Sequence, residues 1–250
     1  MRIIAVINQK GGVGKTTTTA NLGHVLARSG KKVTLIDFDP QGQLAVALGV
    51  VERRQGIAEV MLEGRDIRQL LLEVRENLQL LTAGVRLMDI EQLRDGGAQR
   101  GELLSMALQN SLQDQDYVFI DCPPSSGLLA ANALFASDEI LIPMAGDFLA
   151  LQGLSHLLET LKKFEQVLQK NYKKQLIMSR FSSTRRISRQ VLNTLCKHFP
   201  GQVMATVIRE TVLLAECPGF GKTILEYRPG SRSARDFRGL ADDFLTGRVL

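Results

Sequence analysis

An α/β fold built on a doubly wound, mostly parallel sheet is predicted by three features of the sequence. Short apolar runs alternate with stretches of helical period along the whole chain, the pattern of strand–helix–strand crossovers. The runs, such as Ile3-Ile4-Ala5-Val6-Ile7 and Tyr117-Val118-Phe119-Ile120, are nearly unbroken instead of alternating with polar residues, as strands covered on both faces must be. Two of the predicted strands end on aspartates, Asp37-Phe38-Asp39 and Asp121, which puts carboxylates at the C-terminal edge of the sheet, where open α/β sheets bind ligands. The 250 residues can bury a sizeable core, and no repeat, low-complexity linker or Pro/Gly-rich hinge interrupts them, so residues 1–250 are expected to form a single domain.

The first apolar run is a strand. It leads into Asn8-Gln9-Lys10-Gly11-Gly12-Val13-Gly14-Lys15-Thr16-Thr17-Thr18 and then a helix over 15–29, with Ala20, Leu22, Val25 and Leu26 inward and Ser29-Gly30 as its stop. A second strand covers 32–36. Residues 50–77, charged and leucine-rich, read as short peripheral helices, and 78–81 as another strand. A helix is expected over 101–113, a buried strand over 117–120, a helix over 128–135 and a strand over 139–143. The long amphipathic stretch 150–170 is a helix, 174–178 a strand, 187–198 a helix, 203–208 a strand and 232–245 a last helix.

Composition excludes several classes. Cys122, Cys196 and Cys217 have no paired spacing, so neither a disulfide framework nor a C-x-x-C metal site is indicated, and reducing cytosol is the expected compartment. His24, His156 and His198 fall on helical stretches and read as packing or surface residues. The N-terminal apolar run is too short for a signal-peptide core, and no run approaches the roughly 18 residues needed to span a bilayer. The net charge of +5 is unevenly placed: residues 180–250 hold 12 Lys+Arg against 6 Asp+Glu, whereas the first 179 residues hold 19 against 20. A one-ended basic surplus points to a polyanion partner, although scattered arginines that only solvate helices would give the same count.

The order strand, glycine loop, helix over residues 3–29 is what a phosphate cradle requires. Glycines turn backbone N–H groups inward at φ values other side chains resist, and the free N–H groups of the following helix add the positive end of its dipole. The usual spacing is G-x-x-x-x-G-K-[ST]; Gly14, Lys15 and Thr16 fill its last three places, but Gln9 stands where the first glycine belongs and an additional lysine, Lys10, follows. Phosphoryl transfer needs little more than such a cradle, a Mg²⁺ with carboxylates near it, and a group that orients the attacking water. Asp121 reads as the carboxylate behind the Mg²⁺, with Asp37 and Asp39 on the neighbouring strand end.

The string Lys10-Gly11-Gly12-Val13-Gly14-Lys15-Thr16-Thr17 resembles the deviant Walker motif of the ParA/MinD family of P-loop ATPases. Asp37-Phe38-Asp39-Pro40-Gln41-Gly42 is similar to the family's switch I, and Asp121-Cys122-Pro123-Pro124-Ser125 to its Walker B and switch II. Later stretches also match, among them Leu149-Ala150-Leu151-Gln152-Gly153-Leu154, Leu214-Ala215-Glu216-Cys217-Pro218 and Ile224-Leu225-Glu226-Tyr227-Arg228-Pro229-Gly230-Ser231-Arg232, so the likeness covers nearly the whole chain and is closer to the small, Soj-like ParA branch than to MinD. The resemblance implies ATP held by Lys10, Gly11, Gly12, Val13, Gly14, Lys15, Thr16 and Thr17, and Mg²⁺ held by Thr16 with Asp37, Asp39 and Asp121. It implies that Lys10 reaches across an ATP-dependent homodimer to the partner's nucleotide, that Lys15 serves its own, and that Asp39 orients the water. A cation supplied across an interface is worth roughly 10³ to 10⁵ in rate, so hydrolysis would be slow alone and stimulated by a ParB-like or other partner.

Members of the ParA branch also coat double-stranded DNA without sequence preference, through arginines near the C-terminal end. The candidates are Arg180, Arg185, Arg186, Arg189, Arg209 and Arg235. Two departures bear on them: where the family often reads Ile-Pro-Arg-Asn the chain has Ile208-Arg209-Glu210-Thr211, and Met178-Ser179-Arg180-Phe181 replaces the usual Thr-Met-Tyr-Asp. No space for a helix-turn-helix domain precedes the loop, and residues 241–250 do not form the basic amphipathic helix by which MinD holds membranes. The resulting expectation is a cytoplasmic, nucleoid-associated ATPase that segregates or positions a chromosome, a plasmid or a protein assembly, without membrane attachment. The alternatives are an ATP-gated adaptor that binds protein alone and a metabolic ligase of the dethiobiotin-synthetase type.

Overall fold

The computed structural model describes residues 1–93, 97–109 and 111–250. Within them seven strands form one sheet in the order β3-β4-β2-β5-β1-β6-β7: β1 (Arg2–Val6), β2 (Val33–Asp37), β3 (Leu72–Arg75), β4 (Leu78–Leu81), β5 (Tyr117–Asp121), β6 (Glu139–Ala145) and β7 (Lys173–Ser179). All neighbours pair in parallel except β3 with β4. Alternate residues of β1 feed opposite cores, Ile4 and Val6 on one face and Ala5 on the other, as the two-residue period of a strand demands. The first face is covered by α1 (Lys15–Arg28), α2 (Gln43–Ala47) and α12 (Arg232–Thr246) through Leu22, Leu26, Leu44, Phe237, Leu240 and Phe244. The second is covered by α3 (Ile57–Glu63), α5 (Leu87–Glu91), α6 (Leu103–Leu108), α7 (Leu128–Ala136), α8 (Phe148–Leu168) and α9 (Arg186–His198). Shorter turns, α4 (Ile67–Leu70), α10 (Val212–Glu216) and α11 (Ile224–Tyr227), complete the chain.

The strands and long helices match the sequence pattern closely, and four differences have physical causes. Residues 50–77 contain, besides α3 and α4, the edge strand β3, whose charged Glu73 and Arg75 hide its strand character because only one of its edges is paired. The helix expected over 101–113 shortens to Leu103–Leu108: the chain turns where Ser111 N–H bonds Leu108 O (3.3 Å), and Asn110 lies outside the described residues. Residues 203–208 do not form a continuous strand. They bond β7 at both ends, Met204 N–H to Leu176 O (2.9 Å) and Ile208 N–H to Met178 O (2.8 Å), but Thr206 N–H goes to Asp243 Oδ2 (2.6 Å) and Ala205 N–H to Arg248 O (3.4 Å). The fourth is α8, which starts at Phe148 because Asp147 caps it, Oδ1 accepting from Ala150 N–H at 3.0 Å. Among the described residues no helix is long and apolar enough to cross a membrane.

Candidate nucleotide site

The sheet order puts β1 beside β5, and β5 beside β2, so the loop after β1 and the aspartates ending β2 and β5 share one edge. Val6 is in register with Asp121, and Asp37 with Asp121. The loop enters through Asn8, which is buried and doubly anchored: its amide donates to Pro143 O (2.8 Å) and its Oδ1 accepts from Lys10 N–H (3.0 Å). Gly12 (φ 71) and Gly14 (φ 88) adopt the left-handed turns that the cradle needs. Ser179, at the end of β7, braces the loop from outside by donating to Val13 O at 2.6 Å. The open N-terminus of α1 follows, with Gly14 as its cap residue and no side-chain cap on its N–H groups.

Lys15 and Lys10 occupy different environments. Lys15 is buried, its ammonium 3.3 Å from Lys10 O, and loss of solvent lowers its pKa against the pull of Asp121. Lys10 lies on the rim, where its ammonium pairs with Asp147 at 2.5 Å. The ion pair holds the Asp147 carboxyl below its usual range against the effect of desolvation. Asp147 is a residue that sequence reasoning passed over; its signal was the N-cap position three residues before Ala150.

The three aspartates also differ. Asp37 is fully buried, and burial pushes its carboxyl up to about 7 even though both oxygens accept backbone N–H groups, Ala45 at 2.9 Å and Asp39 at 3.4 Å. It therefore fastens α2 and the turn before it. Asp39 is half-buried and accepts Gln41 N–H at 2.9 Å. Asp121 is pushed up to about 8, first by burial and then by the charge of Asp37, with Thr16 and Lys15 opposing. Its Oδ1 lies 3.4 Å from Thr19 Oγ1, while its Oδ2 and Ser125 Oγ are the buried side-chain polar atoms without a hydrogen-bond partner among the described residues.

That orphaned carboxylate oxygen, beside Thr16 and a buried lysine, is a chemical fit for a Mg²⁺-bound polyphosphate. Mg²⁺ takes one or two carboxylates and completes its shell with phosphate and water, and the free oxygen of Asp121 is one such carboxylate group. Next to the loop opens a cavity of about 510 Å³ lined by Gly14, Thr17, Ile208, Thr211, Val212 and Phe237 among others, a size that holds a small ligand. Sequence reading had placed Gly12, Gly14 and Thr17 at the phosphates, but not the apolar wall of this pocket, which comes from the irregular 205–215 stretch and from α12. A second cavity of about 220 Å³ lies on the other side of the start of α1, bordered by Thr16, Gln43, Val46 and Lys222.

The arginines separate into two groups. Arg180 and Arg185 both pair with Glu210, and Arg209 pairs with Asp236. Arg186 and Arg189 at the start of α9 and Arg235 on α12 are exposed and form no ion pair among the described residues.

A family model described as an AAA domain matches residues 1–176. The sporulation initiation inhibitor protein Soj of Bacillus subtilis is 38% identical over 246 residues, covering 97% of each chain. The chromosome-partitioning ATPase Soj of Thermus thermophilus is 37% identical over 248 residues, 98% of this chain and 96% of that one. Among solved structures, cobyrinic acid a,c-diamide synthase of Mycobacterium smegmatis with bound ADP and magnesium superposes with a TM-score of 0.83 at 31% identity, covering 98% and 94% of the two chains. The loop with its two lysines, the aspartate-tipped strands beside it and this full-length similarity place the chain in the ParA/MinD family of deviant Walker P-loop ATPases, in its Soj-like branch.

Proposed function

We propose that the protein is a ParA-type ATPase that closes into a homodimer around two ATP molecules, binds duplex DNA without sequence preference, and positions or segregates a cargo through hydrolysis stimulated by a ParB-like or other partner. The observation that carries this reading is the division of labour between the lysines. Lys15 is buried in its own cradle, whereas Lys10 is partly exposed on the rim, held among the described residues by Asp147, and so is available to a neighbouring molecule.

Gly11, Gly12, Val13, Gly14 and Thr17 present the cradle to the phosphates of ATP, Lys15 neutralises them, and Thr16 with Asp121 would hold Mg²⁺. Bound there, Mg²⁺ supplies neutralisation of the triphosphate charge. Asp39, less buried than Asp37 and with an exposed flank, orients water; Asp37 keeps its switch segment in place. The apolar cavity beside Val212 and Phe237 would take the base. Arg186, Arg189 and Arg235 serve DNA phosphates, and the protein works at the nucleoid in the cytoplasm.

A ligase would need a second substrate pocket with free polar groups. In the smaller cavity Asn21 already donates to Thr17 O (2.8 Å) and accepts Ile224 N–H (2.8 Å), and Thr223 is engaged with His24 (2.6 Å), which leaves Gln43 and Lys222 as its other polar side chains beside Thr16 and Thr17.

The test is Lys10→Ala, followed by light scattering with ATP and Mg²⁺ and by phosphate release. The variant is expected to keep nucleotide affinity through Lys15, to remain monomeric, and to lose stimulated turnover by roughly 10³-fold or more. Normal ATP-dependent dimerisation with normal turnover would overturn the proposal.

A further inference from the structure

The two departures from the family wording noted in the sequence, Glu210 and Arg180, meet in space. Glu210 Oε1 accepts from Arg180 Nε (3.2 Å) and Nη2 (2.8 Å), and its Oε2 lies 2.8 Å from Arg185 Nη1. One carboxylate thus holds two guanidiniums, and the hydrogen bonds from Arg180 in particular keep its carboxyl below the usual range. The remaining guanidinium nitrogen of Arg180, Nη1, donates to Gly12 O at 3.1 Å. Arg180 therefore touches the phosphate loop and the acid at once.

Both ends of the arrangement are fixed by backbone. Phe181 N–H bonds Ile208 O (3.0 Å) and Glu210 N–H bonds Phe181 O (3.0 Å), which locks residue 180 beside residue 210. Arg180 itself sits at φ 47, a left-handed conformation that side chains other than glycine rarely adopt. The side chains, by contrast, are loosely held: Arg180 and Arg185 are 56% and 62% exposed, and ion pairs so exposed contribute little net stability and are readily exchanged for another anion.

We propose that Glu210 is a clamp on the basic surface: it keeps Arg180 and Arg185 from the phosphates of a polyanion, and through Arg180 it competes with a nucleotide in the adjoining loop for the same guanidinium. This rests on the DNA-binding reading above for the identity of the polyanion, but not for the competition at the loop. Removing the acid releases Arg185 to the polyanion and Arg180 to whichever of the polyanion and the nucleotide reaches it, so each interaction measured alone is strengthened.

The experiment compares the wild type with Glu210→Gln and Glu210→Asp, which retain the fold because the pairs are exposed, as a thermal melt checks. Binding of a fluorescent random-sequence duplex is measured across a salt series with AMPPNP and Mg²⁺, and affinity for AMPPNP is measured separately by calorimetry. With AMPPNP drawing Arg180 to the loop, Glu210→Gln is expected to steepen the log–log salt slope by about 0.9, the one phosphate contact of the freed Arg185, and to bind AMPPNP several-fold more tightly in the absence of duplex. Glu210→Asp, which keeps the charge, is expected to lie near the wild type in both. Duplex binding with an unchanged slope in Glu210→Gln overturns the clamp. Should neither protein bind duplex, the DNA reading falls by itself and AMPPNP decides: tighter binding by Glu210→Gln supports the clamp, and equal affinity overturns it.

Discussion

Asp39 and Asp37 are two residues apart on one strand end and carry the same charge, yet their surroundings assign them different tasks. Both oxygens of Asp37 are engaged by the N–H groups of Ala45 and Asp39, and it is fully buried. Among the described residues the Asp39 carboxylate accepts Gln41 N–H alone, through Oδ1, and it keeps an exposed edge. A group that must orient water needs a free oxygen, and this one has it. Asp39→Ala is accordingly expected to lower ATP turnover by roughly 10²-fold or more, the usual contribution of a positioned base, while leaving nucleotide affinity and ATP-dependent dimerisation intact. Phosphate release and light scattering on the same preparation check it: loss of dimerisation along with turnover would mean that Asp39 holds the switch segment as Asp37 does. Burial, which separates the two, cannot be read from residues 37–42 alone, because their letters allow either aspartate to face the site.

At the scale of elements, legibility followed burial. β1, β2, β5, β6 and β7 were readable because strands covered on both faces carry apolar runs, with their polar residues mostly at the ends. β3 and the short helices α2, α10 and α11 were not, since four or five residues carry no measurable period and their form is set by contacts far away in sequence. α11 shows how such a turn is held. Thr223 and Glu226 form a capping box, Glu226 also pairs with Arg75 of β3 at 3.1 Å, and His24 of α1 lies 2.6 Å from Thr223 Oγ1. The Thr223 hydroxyl also lies 3.2 Å from Glu226 Oε2, so His24 Nδ1 and Glu226 share it. Burial pushes the His24 pKa from 6.5 down to about 4, with Glu226 opposing and Arg75 and Arg28 assisting. A base whose folded pKa lies below its unfolded value binds fewer protons in the native state, so stability is fully present above 6.5 and declines as pH falls toward 4. The His24→Gln variant lacks this term. Its loss of melting temperature between pH 6.5 and pH 4.5 should be shallower than that of the wild type, by up to about 3 kcal/mol in stability over the whole window. Parallel curves for the two proteins would show that the imidazole does not titrate between them.

For the molecule as a whole, the basic surplus of the last 71 residues overstates what is free to meet a polyanion, and the structure divides it by cause. Arg209 is committed to Asp236, a buried carboxylate that also accepts Arg209 N–H at 3.3 Å. Removing that guanidinium leaves a buried charge half-satisfied, which costs about 1–3 kcal/mol, or a melting point several degrees lower in a chain of this size. Arg186, Arg189 and Arg235 are exposed and form no ion pair among the described residues, so their effect should appear in binding. Two variants separate the roles. Arg186→Ala/Arg189→Ala/Arg235→Ala is expected to melt with the wild type and to reduce the log–log salt slope of duplex binding by about 2.7, three contacts at about 0.9 each. Arg209→Ala is expected to melt early and, while folded, to keep the slope of the wild type. If the triple variant keeps its slope while Arg209→Ala loses it, the DNA surface is centred on the 208–211 segment, and exposure without an ion pair is the wrong criterion for finding it.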